Sequence, residues 1–232
     1  ASTKFDSNAG WSSDGAGSII QSWMWKRHAG FDVVTYSGNG ATGHVIPHNL
    51  SKPSEMMWIR RRDSNEDIEV YHKGLNGGTN PQNYGLKLNT QAAQHTSGAD
   101  RWDAPTATSI TVNTDNGTNN SSGTYIAMLF ASVEGISKVG SYSGSSSDIT
   151  INLGFQPRFI VVRSYNQSGS WQVMDTLRGM GAGNDKRMYF NSNGANETGD
   201  YVTSISSTGI TLKTGYTFSN SSGYEYIYYA HA

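Results

Sequence analysis

The chain has 232 residues, a formal net charge of −1 and only 15% charged residues. This near-neutral balance gives no electrostatic reason to expect nucleic acid or an anionic membrane as a partner. The chain has no cysteine, which excludes a disulfide framework and a thiolate metal site. No apolar stretch approaches the roughly 20 residues that a membrane-spanning helix needs.

Residues 1–29 contain the pattern of a strand that recurs later in the chain. Residues 17–31 have the same layout of apolar and glycine positions as residues 123–136. Two hypotheses stay open for this segment. It is either the closing strand of a preceding unit or an N-terminal extension that pairs with the first domain.

Residues 30–134 and 135–232 contain the same series of segments in the same order. Seven segments match, including the Asn-Ser-Ser-Gly runs at 120–123 and 220–223. A unit of about 100 residues exceeds the roughly 20 to 50 residues of solenoid and propeller repeats. The sequence therefore predicts two domains with these bounds, related by internal duplication. The residue pairs that we expect to superpose are Pro53 with Pro157, Tyr125 with Tyr226, and Asn120 with Asn220.

The repeated segments have the composition of β-strands. Residues 56–59 and 159–162 are short apolar runs, and β-branched and aromatic residues are frequent in such segments, which end at Gly, Asn, Ser or Asp. No window of a dozen residues has the i, i+3, i+4, i+7 spacing of an amphipathic helix. We predict an all-β fold of two jelly-roll-like antiparallel β-sandwiches, each with about six to eight strands.

Two features of the repeats give more specific expectations. The Asn-Ser-Ser-Gly runs predict the same tight turn in both domains, with Gly123 and Gly223 at backbone conformations that are costly for other residues. Residues 226–230 are apolar or aromatic at consecutive positions, which predicts a strand buried on both faces. Either neighbouring chains of a trimer, which we favour, or the other domain of the same chain covers the second face.

The sequence contains no sign of a catalytic pair. Hydrolysis of a polysaccharide needs two carboxylates about 5 to 10 Å apart across a cleft. In the aligned copies Asp175 is matched by His72 and Glu69 by Gln172, so no such pair occurs in both domains. We interpret Asp175 and Arg178 as a pair that holds a turn at a strand end. We therefore predict that the protein is not an enzyme and has no catalytic residues.

Metal and cofactor sites are not predicted either. His44 and His48 lie in extended chain, about 13 Å apart at 3.3 Å per residue, so they cannot share one ion. Residues 113–116 and 193–197 form Asn- and Asp-rich loops that turn chemistry explains. Whether either loop holds Ca²⁺, which prefers oxygen ligands, stays open.

Aromatic residues in predicted loops are the candidates for binding. An exposed aromatic ring beside amide and carboxylate groups can stack on a sugar while its neighbours bond the hydroxyl groups. Five aromatic residues are flanked by Gly, Asn, Asp or Ser in predicted loops. The predicted glycan-binding residues are Tyr84, Trp102, Tyr165, Tyr216 and Tyr224.

Several segments of the chain resemble a known group of phage domains. Residues 154–163, 170–178, 209–212 and 220–230 resemble the tandem β-sandwich repeat near the C-terminus of tail-fibre and other virion proteins from tailed phages, especially aquatic ones. The first copy resembles the partner half of the same proteins in residues 36–40, 48–50, Pro53 and 70–73. The resemblance covers about residues 30–232. It departs from the usual pattern at His231, where Phe is more frequent.

The resemblance implies a virion protein rather than an enzyme, because these repeats have no assigned catalytic residues. We expect a distal tail-fibre segment that attaches to host-surface glycan, is located in the virion tail and is exposed to the extracellular medium. Its expected partners are other virion subunits and the glycan, and we expect a homotrimer without nucleic acid or membrane insertion. The alternatives are a decoration or connector protein and, more weakly, a polysaccharide hydrolase.

Overall fold

The computed structural model describes residues 25, 30–96, 100–181, 183–192 and 196–232. The strands of the first half (residues 30–134) are β1 (Phe31–Ser37), β2 (His44–Pro47), β3 (Met56–Arg61), β4 (Glu69–His72), β5 (Tyr84–Lys87), β6 (His95–Thr96), β7 (Ser109–Val112) and β8 (Thr124–Phe130). The strands of the second half (residues 135–232) are β9 (Ser137–Ser143), β10 (Ile149–Asn152), β11 (Phe159–Ser164), β12 (Gln172–Asp175), β13 (Asp185–Tyr189), β14 (Glu197–Gly199), β15 (Val202–Ser206), β16 (Gly209–Leu212) and β17 (Glu225–His231). The helical segments are α1 (Asn116–Asn119) and short 3₁₀ turns at Leu75–Gly78, Pro81–Asn83 and Thr176–Arg178.

The large sheets of the two halves have the same strand order. In the first half six strands form one antiparallel sheet in the order β1-β8-β3-β4-β5-β6, and β2 pairs with β7 separately. In the second half the large sheet has the order β9-β17-β11-β12-β13-β14, and β10, β16 and β15 form the smaller sheet. Each large-sheet strand thus has a counterpart at the same place. The prediction of an all-β fold with antiparallel sandwiches is confirmed, and the duplication that would explain the shared order stays a prediction.

The strand registers align the residues that the repeat had matched. Tyr36 pairs with Tyr125 in the first half, and Tyr142 pairs with Tyr226 in the second. In both pairs the rings are stacked, with their centroids 5.0 Å apart. Offset stacking is a favoured geometry for aromatic pairs, so the same packing device is present in both halves.

Asn119, and not Asn120, is the counterpart of Asn220, so this part of the predicted alignment is wrong by one residue. The side chain of Asn119 accepts a hydrogen bond from the Asn39 amide and donates one to the Ala41 carbonyl, each at 2.9 Å. The side chain of Asn220 makes the same two bonds in the loop after β9. Both residues are fully buried, and a buried amide side chain needs such partners.

The tight turn before the last strand is also displaced by one residue from its sequence motif. The turn closes from the Gly123 amide to the Asn120 carbonyl in the first half, and from the Tyr224 amide to the Ser221 carbonyl in the second. Its left-handed residue is Ser122 (φ 71°) in one half and Gly223 (φ 82°) in the other. The expectation of positive φ is therefore confirmed at Gly223 and wrong at Gly123. Gly123 instead leaves room for the Tyr125 side chain, whose hydroxyl oxygen would lie 2.7 Å from an added Cβ.

Four layers of sheet enclose three hydrophobic cores. Each smaller sheet packs on the outer face of its own large sheet, through residues such as Ile46 and Met57 in the first half and Ile151 and Ile160 in the second. The inner faces of the two large sheets share one central core. Because side chains alternate between the two faces of a strand, the central strands are apolar on both faces. The two halves therefore stabilise each other through the central core, in addition to the outer core that each half has of its own.

The final strand illustrates this double burial. On β17, Ile227 and Tyr229 face the central core, whereas Tyr226, Tyr228 and Ala230 face the outer core of the second half. The consecutive apolar residues are thus covered within one chain. This pattern had supported a trimer, and the structure accounts for it without one.

The central core also includes Trp25, the described residue of the segment 1–29. Its ring lies 5.8 to 6.0 Å from the rings of Phe31, Trp58, Phe130 and Phe159. These contacts join it to strands of both halves. The two hypotheses for the rest of this segment concern residues that lie outside the described part of the chain.

A buried arginine connects the halves by polar contacts. Arg163 on β11 is fully buried, and its Nη1 donates to the carbonyls of Lys87 and Thr90 at 3.0 Å each. Its Nη2 donates to the carbonyl of Ala92. The guanidinium also lies 5.1 Å from the ring centre of Trp171, a cation–π contact. Burial lowers the pKa of Arg163 to about 10, so the group stays protonated at neutral pH.

Candidate functional site

Two of the five predicted glycan-binding residues are inside the protein. Trp102 is only 1% exposed in the outer core of the first half, where it forms a bridge to Val112 on β7. Tyr165 is 5% exposed in the central core, and its hydroxyl accepts a hydrogen bond from the Gly77 amide. Both lie next to strands, and their rings pack into a hydrophobic core. The prediction that these two are exposed loop aromatics is wrong.

The other three predicted residues are half-buried and lie in different places. Tyr84 packs against the central core. Tyr216 and Tyr224 pack against the outer core of the second half. Tyr224 lies over Tyr226, with ring centroids 6.2 Å apart. The structure therefore does not bring the five residues together as one rim, and only Tyr216 belongs to a larger group of aromatic and charged side chains.

That group surrounds Arg187, on strand β13 of the second half. The Arg187 guanidinium lies 3.8 Å from the ring centre of Phe218 and 5.0 Å from that of Tyr201. Its Nη1 donates to Oε1 of Gln172 at 3.3 Å, and its Nη2 forms an ion pair with Glu197. An arginine over aromatic faces and bonded at its edge is held in one orientation.

The rings of this group brace one another. Tyr201 meets Tyr216 and Phe218 edge to face, with centroid distances of 5.0 and 5.1 Å. Tyr189 lies beside Arg187, and its hydroxyl donates to the second oxygen of Glu197. We call Arg187, Tyr189, Glu197, Tyr216 and Phe218 the Arg187 cluster. All five are half-buried or exposed.

The pKa shifts in the Arg187 cluster favour an ion pair in which the charges of Arg187 and Glu197 cancel. The hydrogen bond from Tyr189, followed by the contact with Arg187, lowers the pKa of Glu197. Burial, together with the Glu197 carboxylate, raises the pKa of Tyr189 to about 12. At neutral pH Glu197 is therefore ionised and Tyr189 keeps its proton, so Glu197 balances the charge of Arg187.

The same place in the first half carries different chemistry. Pairing of Gly85 with His95 corresponds to pairing of Arg187 with Glu197. No side chain rises from Gly85, and the guanidinium of Arg101 fills the space, 3.2 Å from where a Cβ on Gly85 would lie. A loop arginine in one half thus occupies the position of a strand arginine in the other.

Arg101 is surrounded by titratable groups rather than by rings. Its Nε lies 3.2 Å from Glu69 and 3.5 Å from Asp115, and its Nη1 contacts the His95 ring. We call Glu69, His95, Arg101 and Asp115 the Arg101 cluster. The strand registers make Glu69 the counterpart of Gln172. Asp115 is the counterpart of Tyr216, because the backbone carbonyls of both residues accept the hydrogen bond that closes the helical turn before β8 and β17, respectively.

Burial, opposed by Arg101 and assisted by Asp115, raises the pKa of Glu69 to about 7. Burial also lowers the pKa of His95 to about 4, and Arg101 acts in the same direction. A carboxyl with a raised pKa beside a second carboxylate is a pattern found in acid–base sites. Glu69 is only 3% exposed and is covered by Arg101, so a substrate cannot reach it in this arrangement.

The sequence signal for these clusters lies in positions that differ between the two copies, and a search for identical residues does not find it. Arg187, Glu197 and Phe218 were not among the predicted residues, because a search for matches passes over positions that differ. The registers make Gly85 the counterpart of Arg187, and His95 the counterpart of Glu197. The available indication of a site was that charged residues in the second copy replace a glycine and a histidine at the equivalent strand positions of the first.

The other predicted features have structural partners. Asp175 accepts from the Arg178 amide at 2.9 Å and pairs with its guanidinium, so the interpretation as a turn-holding pair is confirmed. His44 contacts the side chain of Asn119, and His48 accepts from the Leu50 amide. Within the described residues no group of three or more His, Cys, Asp or Glu side chains is arranged to hold a metal ion.

In the first candidate calcium loop, Asp115 caps α1 by accepting from the Gly117 amide at 2.8 Å. This bond satisfies an amide at the helix start, as Asp commonly does. In the second loop, residues 193–195 lie outside the described part of the chain.

The helices described here are all too short to cross a membrane.

Residues 4–232 match a family model described as Domain of unknown function (DUF7483). The chain belongs to this family. The match extends over both halves and over Trp25, and thus over every layer of the DUF7483 fold seen here. No curated protein and no solved structure was found to match the chain.

Proposed function

We propose that this protein is a non-catalytic virion protein of a tailed phage, a distal tail-fibre segment that attaches to glycan on the host surface. The observation that carries the proposal is the Arg187 cluster, where half-buried rings stand beside a guanidinium, a carboxylate and a phenolic hydroxyl. Such a combination suits a sugar, which offers an apolar ring face and a rim of hydroxyl groups. The resemblance of residues 30–232 to tail-fibre repeats supplies the phage context.

The four-layer fold supports a role at an exposed tip of the virion tail. Binding residues on a rigid scaffold lose little conformational entropy when a ligand arrives. Here the large sheets are fixed against each other by the central core and by Arg163. The outer faces are then free to vary while the scaffold is retained. The expected partners are other virion subunits and the glycan.

The connector alternative predicts apolar surface patches of several hundred Å². The large apolar side chains exposed in the described residues are Val45 at 57%, Ile136 at 37% and Leu177 at 87%. They belong to β2, to the β8–β9 connection and to a 3₁₀ turn. Single apolar residues scattered over a surface are ordinary, so this distribution favours attachment over a connector role.

A trimer remains part of the proposal, and the resemblance to tail fibres is now its support. The apolar run on β17 no longer argues for it, because both faces of that strand are covered within the chain. Light scattering at micromolar concentration measures the oligomeric state directly. A monomer would contradict the proposed trimer of this segment and would leave the proposal of glycan attachment unaffected.

Attachment is tested by labelling the chain and measuring its binding to a panel of aquatic bacteria that are hosts of tailed phages. We expect binding to at least one strain and loss of binding after its surface polysaccharide is oxidised with periodate or removed enzymatically. Heat-unfolded chain is the control for non-specific adhesion. Binding only to purified virion subunits would instead establish the connector, and release of reducing sugar from the polysaccharide would establish a hydrolase.

A further inference from the structure

We propose that the chain has one saccharide site, the Arg187 cluster, and that this site takes a neutral pyranose unit. The inference rests on the proposed function and deepens it by naming the site, the sugar class and the number of sites. It depends on three observations: the fixed rings, the internal balance of charge, and the contrast with the first half.

The rings are held in place before any ligand arrives. Tyr201 contacts Tyr216 and Phe218 edge to face, and the guanidinium of Arg187 covers one side of Phe218 at 3.8 Å. Tyr216 and Phe218 remain half-buried rather than enclosed. A ring that is already fixed gives a sugar a stacking surface at low entropic cost, and Tyr216 is the ring that the sequence alone had indicated.

The charges of the cluster are balanced before a sugar binds. Glu197 is paired with Arg187 through one oxygen and accepts from Tyr189 through the other. On β13, the strand of Arg187, the buried carboxylate of Asp185 accepts from the backbone amides of Gly181, Tyr201 and Val202 at 2.6 to 2.7 Å.

An anionic sugar would have to displace Glu197 to reach Arg187, and Asp185 lies two residues before Arg187, on the same face of β13. A neutral sugar meets neither obstacle. Its hydroxyl groups can bond the exposed carboxylate of Glu197 and the hydroxyl of Tyr189, because a hydroxyl is both a donor and an acceptor.

The equivalent place in the first half is closed to a sugar. There Arg101 lies between the carboxylates of Glu69 and Asp115, and no ring stands where Tyr216 stands in the second half. The side chains of Arg101 and Glu69 are largely buried. Of these two equivalent places, the one in the second half is therefore the place that is open to a sugar, although the two halves share a scaffold.

The test uses the full chain and the surface polysaccharide isolated from cells that bind it. Titration calorimetry with fragments of that polysaccharide should give one site per chain. Tyr216→Ala and Glu197→Gln should each weaken binding at least about tenfold, whereas Tyr216→Phe, which keeps the ring, should bind within about threefold of the unchanged chain. His95→Gln alters the equivalent position in the first half and should have no effect. Thermal unfolding of each variant establishes that it is folded.

Sugar class is tested by reducing the carboxyl groups of the same polysaccharide, which converts uronic acids to neutral sugars. We expect undiminished binding after reduction, and loss of binding would overturn the assignment to a neutral pyranose. Full binding by Tyr216→Ala and Glu197→Gln would overturn the site while leaving glycan attachment intact. If the unchanged chain binds no cells at all, the proposed function fails, and the site falls with it.

Discussion

The two halves place different side chains on the same framework. In both, a stacked tyrosine pair and a fully buried asparagine hold the loop after the first strand against the turn before the last one. On the outer face, a carboxyl, a histidine and a loop arginine in the first half stand where an amide, a carboxylate and a strand arginine stand in the second. Features common to both halves maintain the fold, so the positions that differ are those free to acquire a function.

The inner faces differ in another way, because they contact each other rather than solvent. Arg60 and Arg163 occupy equivalent positions on β3 and β11. Arg60 is half-buried and donates to the carbonyl of Glu66 in its own half. Arg163 is fully buried and bonds three carbonyls of the other half. One position thus serves a local turn in one half and joins the halves in the other.

Replacing Arg163 gives the largest expected effect. Arg163→Met should lower the free energy of unfolding by about 3 kcal/mol, because it removes the guanidinium donor from the carbonyls of Thr90 and Ala92 and the contact with Trp171. Arg60→Met, the matched control, should cost less than about 1 kcal/mol. Urea denaturation measures both. Equal losses for the two variants would show that Arg163 does not join the halves.

The buried asparagines are expected to have smaller but equal effects. Asn119→Ala and Asn220→Ala should each lower the free energy of unfolding by about 2 kcal/mol, because each removes a fully buried side chain and the two hydrogen bonds that it makes to the loop backbone. Asn120→Ala should cost less than about 1 kcal/mol, since its side chain bonds only Asn116 at the surface. Thermal or urea unfolding decides between the alignments. A greater loss for Asn120→Ala than for Asn119→Ala would restore the alignment expected from the sequence.

These asparagines also indicate how far the sequence could predict the structure. The strands and their pairing order follow from apolar runs and turn residues, and the match of Tyr125 to Tyr226 is confirmed by the register. The shift at Asn119 was not predictable from residue identity, because the Asn-Ser-Ser-Gly motif begins at Asn120 and identity therefore aligns Asn120 with Asn220. Only the hydrogen bonds to the loop after β1 distinguish them.

The candidate site was less predictable than the fold. Trp102 and Tyr165 have the flanking residues of exposed loop aromatics, yet the first covers an outer core and the second enters the central core. Packing between sheets that are distant in sequence decides such burial, and local composition carries no information about it. The guanidinium of Arg101 reaches its place from a loop, which strand patterns cannot indicate.

Exchanging Glu69 for the residue of the other half should reveal a pH-dependent difference. The pKa of Glu69 is raised to about 7 in the folded chain, above its usual value of about 4.3. The folded state therefore binds this proton more tightly, so the contribution to stability is present below about pH 4 and is lost as the pH rises through 7.

Glu69→Gln should accordingly leave stability unchanged at pH 4 and raise it on the order of 2 kcal/mol at pH 8. The amide keeps the size of the side chain, as Gln172 does at the equivalent position. Gln172→Glu, the reciprocal change, should lower stability at pH 8 more than at pH 4. Urea midpoints at both pH values test this pair. A pH-independent effect of Glu69→Gln would mean that Glu69 titrates normally.

The smallest expected effect concerns the left-handed residue of the turn before the last strand. Ser122 has φ 71° and its counterpart Gly223 has φ 82°. A side chain at positive φ crowds its own backbone, whereas glycine adopts this conformation without that cost. Ser122→Gly should therefore stabilise the chain by about 0.5 kcal/mol, and Gly223→Ser should destabilise it by about 1 kcal/mol. The two changes are reciprocal at one structural position, so opposite signs in thermal unfolding are the decisive result. Destabilisation by both would mean that the hydroxyl of Ser122 compensates for its strained backbone and that the two turns are not equivalent.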